Sequence, residues 1–174
     1  MYRHQLQHVI LEISRRFGLT EVFIIGSAAI LAVLPNPPEG ELTATRDVDV
    51  IPPHDEERLA DRISFVIGEA SDFDTQYGYY AQGVTSRTPT YAPPDWKSRT
   101  IPVPVAEITG RCMDPNDLVL SKLGAGREKD LAFARSVVKL SLVRRDILVE
   151  RLELVACSDE DRKRIAARLH ALFF

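Results

Sequence analysis

The sequence predicts an α/β protein, a small mixed β-sheet with packed helices, followed by a C-terminal helical region. Three observations lead there. Short apolar runs of strand length alternate with helical patterns through residue 113. Asp47-Val48-Asp49-Val50-Ile51 shows the period of a strand with one polar face. From Asp114 onward only helical spacing remains. The division is therefore expected near residue 113, with an α/β domain over 1–113 and helices over 114–174.

Taken in order, Leu6, Val9, Ile10, Ile13 and Phe17 recur at helical spacing, and Gly18 ends that element. Val22-Phe23-Ile24-Ile25 is a continuous apolar run of buried-strand type. Gly26-Ser27 follows at once, and Ala28 to Leu34 continues without a turn residue, so the strand is expected to pass into a helix through a Gly-Ser corner. Backbone N–H groups left free at such a corner favour an anion. A Pro/Gly-rich connection leads to Asp47 and Asp49, whose spacing puts both carboxylates on one face of a strand, an arrangement suited to a divalent cation.

After Pro52-Pro53, a helix is expected from His54-Asp55, with Leu59, Ile63, Val66 and Ile67 as its apolar stripe. Asp72-Phe73-Asp74 repeats the Asp-x-Asp pattern in a polar patch and reads as a turn. Gly78 to Val84 and Thr100 to Ile108 read as strands joined by a Thr/Pro/Ser-rich loop; Pro102 and Pro104 place the second at an edge. Asp114-Pro115 starts a helix carrying Leu118, Leu120 and Leu123, and Gly124-Ala125-Gly126 breaks it. A helix from near Arg127 presents Leu131, Ala134, Val138 and Ser141 on one face, with Phe133 and Val137 beside it. Arg144 to Ala156 and Ser158 to Leu172 complete the tail, the last opened by Ser158 with Asp161 at capping-box spacing.

The composition, 45% hydrophobic and 27% charged over 174 residues, is that of a soluble globular chain. Its longest apolar stretch, Val22 to Leu34, is 13 residues, too short to span a bilayer, and the N-terminus lacks a signal-peptide pattern, so a cytoplasmic protein without membrane attachment is expected. Cys112 and Cys157 lack metal-ligand spacing and read as reduced thiols. The net charge of −3 argues against a dedicated nucleic-acid binder, but its distribution is uneven. Residues 39–74 hold eleven acids against three arginines, and residues 127–145 hold six bases against two acids. Two solvated helix faces would give this, as would a metal-binding side opposite a phosphate-binding side.

The order strand, Gly26-Ser27, helix, then Asp47-x-Asp49 on the next strand resembles the nucleotidyltransferase superfamily of the DNA polymerase β type. The 19 residues between Ser27 and Asp47 exceed the connection of compact members. The resemblance implies that Gly26 and Ser27 hold a nucleoside triphosphate (NTP) and that Asp47 and Asp49 bind Mg²⁺, or Mn²⁺ in its place. In DPNDLVLSKLGAGREKDLAF, Lys122, Arg127 and Asp130 stand in the order seen in nucleotidyltransferases related to abortive-infection type toxins. That likeness implies that Lys122 and Arg127 meet the triphosphate and that Asp130 orients the lysine or assists catalysis. The implied activity is transfer of a nucleoside monophosphate to a hydroxyl of RNA, tRNA included, or of protein, in a toxin-like role within a toxin-antitoxin pair. Active superfamily members usually add a third carboxylate, for which Glu107 and, through its carbonyl, Gln82 are available. If neither serves, an inactive descendant that binds nucleotide or a cognate partner protein is the alternative.

Each site residue also has a purely structural reading. Asp117 and Asp130 stand where acids cap helices or meet their dipoles, and Lys122 among leucines fits a snorkelling surface lysine. Tyr79, Tyr80 and Trp96 fit either packing or stacking on a base. His4 and His8, one helical turn apart, fit a solvated face.

Overall fold

A computed structural model describes residues 1–174. The sheet has five strands in the order β3-β2-β1-β5-β4. They are β1 (Glu21–Ile25), β2 (Asp47–Ile51), β3 (Tyr80–Gly83), β4 (Ile101–Val105) and β5 (Ile108–Cys112). β1 pairs antiparallel with β2 and parallel with β5, β2 runs parallel to β3, and β4 and β5 form an antiparallel hairpin. The mixed α/β sheet and the helices after it are those expected from sequence. The fifth strand was hidden inside the expected Thr100–Ile108 strand and its sequel: Ala106-Glu107 is a turn, with Ala106 at φ 50, and the chain reverses there.

The sheet's two faces differ in what covers them. Val22, Ile24, Val48 and Val50 are buried on one face, where α1 (Arg3–Phe17) and α2 (Glu57–Ile67) pack. The packing is close because glycines make it so. A Cβ at Gly110 would meet Cδ1 of Ile10 at 2.5 Å, and one at Gly83 would meet the carbonyl oxygen of Ala60 at 1.9 Å. The other face carries Phe23, Ile25, Asp47, Asp49 and Ile51, since Ile25 stands opposite Asp49 and Phe23 opposite Ile51. A single apolar core of 39 buried residues runs from Met1 to Leu169, including the C-terminal helices.

Those helices are α4 (Pro115–Ala125), α5 (Glu128–Lys139), α6 (Arg145–Leu152) and α7 (Asp159–Phe173). Asp114 caps α4 by accepting from the Asn116 N–H at 2.9 Å, Gly126 ends it in the left-handed region, and Ser158 accepts from Asp161 N–H at 3.1 Å to start α7. α6 is shorter than expected and stops at Leu152. The buried stripe of α5 is Asp130, Phe133, Ala134 and Val137, so the inward face is rotated from the one its aliphatic residues suggested. Asp130 turns inward because it has cationic partners there.

Four further expectations are corrected. Ser27–Ala32 forms a 3₁₀ helix in place of the longer helix over 28–34. His54 and Asp55 adopt positive φ (63 and 54), and α2 starts only at Glu57; the Asp55 carboxylate instead accepts from the Ser86 N–H at 2.6 Å and from its hydroxyl. Asp72–Tyr77 is a short helix, α3, capped by Ser71, where a turn was expected. His8 is half-buried; its Nδ1 lies 2.8 Å from the Tyr79 hydroxyl, and its ring packs against Phe73 and Tyr77.

Asp117 does more than decorate a helix start. It is fully buried and bridges two arginines: Nε of Arg99 at 2.9 Å and Nη1 of Arg151 at 3.1 Å. Arg151 also reaches Asp114 at 2.6 Å. Burial pushes the Asp117 carboxyl above its ordinary value in spite of these guanidiniums. The cluster ties the loop before β4 to α4 and α6. No helix is long and apolar enough to cross a membrane.

Candidate active site

The C-terminal end of β1, the N-terminal end of β2 and the exit of β5 toward α4 lie together at one end of the sheet, as the pairings Ile25 with Asp49 and Ile24 with Cys112 require. Most of the sequence-predicted site residues gather at this end. Gly26 leaves β1 at φ 67 and ψ −168, a conformation suited to glycine. Its missing side chain matters as much: a Cβ there would lie 2.2 Å from Oδ2 of Asp49. The Gly-Ser corner and the Asp-x-Asp strand, 20 or more positions apart in sequence, are thus in direct contact.

A cleft of about 480 Å³ opens at this end. Ser27, Asp47, Asp49 and Tyr80 line its floor, and Lys122, Arg127 and Lys129 face them from α4, α5 and their junction. Asp47 and Asp49 share one face of β2, and Thr45 donates its hydroxyl to Asp47. Burial first, then the neighbouring Asp47 charge, pushes the Asp49 carboxyl up to about 6, against the pull of Lys122, Arg127 and Lys129. A second, smaller chamber of about 120 Å³ adjoins it, sharing Asp49, Thr88, Lys122 and Arg127 with the cleft and reaching Gly26, Met113 and Asp130.

Asp130 organises the cationic wall. It is fully buried and accepts from Nζ of Lys122 at 3.0 Å and from Nε of Arg127 at 2.6 Å. Burial alone would raise this carboxyl, but the hydrogen bonds from Arg127 and Lys122 outweigh it and hold it below its ordinary value. Nζ of Lys122 also lies 5.3 Å from the centre of the Phe133 ring. The lysine is therefore aimed by a carboxylate and an aromatic face, and is only 13% exposed. A snorkelling surface lysine would be neither.

Gly26, Ser27, Asp47, Asp49, Lys122, Arg127 and Asp130 are thus all brought to the cleft and its adjoining chamber. Glu107 is not. It is exposed in the β4–β5 turn, next to the strand end that pairs Thr109 with Glu21, while Asp49 pairs at the opposite end of β1. Gln82 stands beside Asp49 in register, but its amide donates to Ser64 on α2 at 3.1 Å and does not line the cleft. Neither tentative third ligand belongs with the Asp pair. Tyr79 packs on His8, and Trp96 is buried edge-on against Phe23, so of these three aromatics Tyr80 alone lines the cleft, together with Phe133.

The sequence reading missed Glu41, Arg46, Thr88 and Lys129 as cleft residues. Lys129 lies within the basic run after Arg127, and Arg46 directly precedes Asp47, so composition held a signal for both. Glu41 likewise lies in the acidic run 39–74; for Thr88, on the loop between β3 and β4, composition held none.

No cluster of three or more His, Cys, Asp or Glu is poised to hold a metal. The donor set nevertheless fits Mg²⁺, which keeps several waters and is bound by one or two carboxylates together with substrate phosphates. The partly desolvated pair on β2 supplies the carboxylates, and the three cations opposite suit the phosphates.

A mixed sheet with a Gly-Ser corner packed on an Asp pair, faced by helix-borne cations, has the arrangement of a nucleotidyltransferase. Residues 4–170 match the family described as a nucleotidyltransferase of unknown function (DUF6036), and the chain belongs to that family. No curated protein and no solved structure matches it.

Proposed function

We propose that this protein is a Mg²⁺-dependent nucleotidyltransferase that moves a nucleoside monophosphate from an NTP to a hydroxyl of RNA, tRNA included, or of protein. The observation that carries this reading is the opposition, across one cleft, of Asp47 and Asp49 on β2 and of Lys122, Arg127 and Lys129 on the helices. A triphosphate with its cation is the ligand whose charges alternate in that way.

Asp47 and Asp49 would hold Mg²⁺, which when bound neutralises phosphate charge and favours in-line attack by the acceptor hydroxyl. Ser27 at the Gly26 corner and Lys122 meet the β- and γ-phosphates, and Arg127 and Lys129 extend the same positive wall. The hydroxyl oxygen bonds to the α-phosphorus, the bond to the β-phosphate oxygen breaks, pyrophosphate leaves with the electron pair and the hydroxyl proton passes to solvent. Lys122, held in place by Asp130, offsets the charge that grows on the leaving group. Tyr80 is placed to stack on the base. The Lys122–Arg127–Asp130 pattern is the basis for a toxin-like role.

A second reading, an inactive descendant that binds nucleotide or a cognate protein, draws support from the absence of a third carboxylate grouped with the Asp pair: Glu107 is remote, Gln82 is engaged by Ser64, and Glu41 lines the cleft without forming a three-acid cluster with Asp47 and Asp49. Incubation with each labelled NTP, Mg²⁺ and total cellular RNA or protein separates the two. Transferred label that is lost in Asp47→Asn/Asp49→Asn supports the enzyme; micromolar nucleotide binding without transfer to any acceptor supports the binding module.

A further inference from the structure

The loop between β3 and β4 builds a second cavity that the transfer reaction as described leaves unused. Ser86, Arg87, Thr90 and Lys97 supply its polar lining, and Pro89 and Trp96 its apolar walls. At about 480 Å³ it equals the main cleft in size. The two adjoin across the loop: Thr88 lines the cleft and its inner chamber, and Pro89 lines that chamber and the second cavity.

The position is fixed by the sheet. Nζ of Lys97 lies 4.9 Å from the centre of the Phe23 ring, and Phe23 stands on the same sheet face as Ile25, the partner of Asp49. Two residues along a strand is about 6.6 Å. Lys97 is therefore seated on the sheet face that carries Asp49, over a strand position one side-chain step along β1 from the partner of Asp49.

The cavity's two cations form no ion pair. Every carboxylate of the chain lies beyond ion-pair distance of Arg87 and Lys97, whereas Arg99, at the end of the same loop, is held by Asp95 and Asp117. Asp55 accepts from the Ser86 hydroxyl and N–H; those bonds, together with the Lys97 and Arg87 charges, hold its carboxyl below the ordinary value, so it offsets the two cations in part without pairing with either. That contact and the Arg99–Asp117 pair anchor the loop at both ends, so the two cations are presented on an ordered frame. Trp96 is buried against Phe23 and has no face free for a base. The lining offers cations and hydroxyls, a set whose chemistry suits a phosphate backbone and reads no sequence.

We propose that this cavity is the acceptor subsite, holding a backbone phosphate of a polynucleotide whose terminal hydroxyl enters the cleft. The inference rests on the nucleotidyltransferase reading and selects RNA over protein as the acceptor. A net charge of −3 does not oppose it, because the attraction is local to a groove with two unpaired cations.

The test is fluorescence anisotropy with a short labelled single-stranded RNA, run as a salt series on wild type, Arg87→Glu and Arg87→Glu/Lys97→Gln, with Mg²⁺–ATP affinity measured in parallel. The expected result is an RNA affinity at least tenfold weaker in both variants. In the double variant, log affinity against log salt should flatten by about 0.7, since the one backbone phosphate that is no longer neutralised removes roughly that much from the slope. ATP affinity should not change. Arg87 is exposed, so the single variant decides the matter even if removing Lys97 from Phe23 disturbs folding. An RNA affinity unmoved by Arg87→Glu, wild type that binds ATP but no RNA, or label transferred to protein alone would each overturn the subsite. Wild type that binds no Mg²⁺–ATP would instead overturn the transfer reading, whatever the RNA does.

Discussion

The carboxylate of Asp49 rests against the bare Cα of Gly26, so close that a Cβ would come within 2.2 Å of Oδ2. Gly26→Ala therefore meets two penalties, this clash and a φ of 67. The expected cost is about 2–4 kcal/mol, with loss of divalent-cation binding as Asp49 is pushed aside. Thermal melts and Mn²⁺ calorimetry on Gly26→Ala and Gly26→Ala/Asp49→Ala would check this. The double variant should regain part of the stability and none of the binding. A Gly26→Ala protein with wild-type melting and binding would contradict the contact.

Asp49 should tie stability and cation binding to pH in opposite senses. Its folded pKa, about 6, lies above the ordinary 3.8, so the folded state holds the proton more tightly. Without metal, its contribution is most favourable below pH 3.8 and is lost as pH rises through 6, a penalty of up to about 3 kcal/mol. Asp49→Asn is thus expected to melt higher than wild type at pH 7.5 and to match it near pH 4. Cation binding needs the charged form and should fall as pH drops through 6. Equal melting of the two proteins at both pH values would remove the burial argument.

Lys122→Ala should weaken NTP binding roughly tenfold to more than a hundredfold and NMP binding far less, because its charge-assisted contacts are to the β- and γ-phosphates. Arg127 remains on Asp130, which keeps that carboxylate paired and the fold intact. Calorimetry with ATP and AMP distinguishes this from a structural lysine, whose loss would affect both ligands alike.

Asp117→Ala removes the shared partner of Arg99 and Arg151 from a fully buried site. A loss of about 3 kcal/mol is expected, or roughly 6–12 °C in Tm for a chain of this size. Asp146→Ala, which breaks the solvent-exposed pair with Arg144, should not move the melt measurably. Similar effects of the two substitutions would mean that the buried cluster does not dock the loop onto the helices.

What the sequence by itself determined are the features that depend on neighbours along the chain. Val22–Ile25 had to be a strand, Gly26-Ser27 a corner and Asp47 and Asp49 one face of a strand, because run length, turn chemistry and the period of two are local properties. The caps Asp114, Gly126 and Ser158 were legible for the same reason. Tertiary structure decided the rest. The Ala106-Glu107 turn holds no Gly, Asn or Pro to mark the hairpin that carries Glu107 to the far end of the sheet, and only the parallel pairing of β5 with β1 sets which end that is. Asp130 and Asp117, each with a fair reading as a helix-end acid, are buried because Lys122 and Arg127 in one case, and Arg99 and Arg151 in the other, converge from separate segments. Burial of a charge depends on partners that meet only when the chain has closed, and no spacing rule along the sequence encodes that meeting.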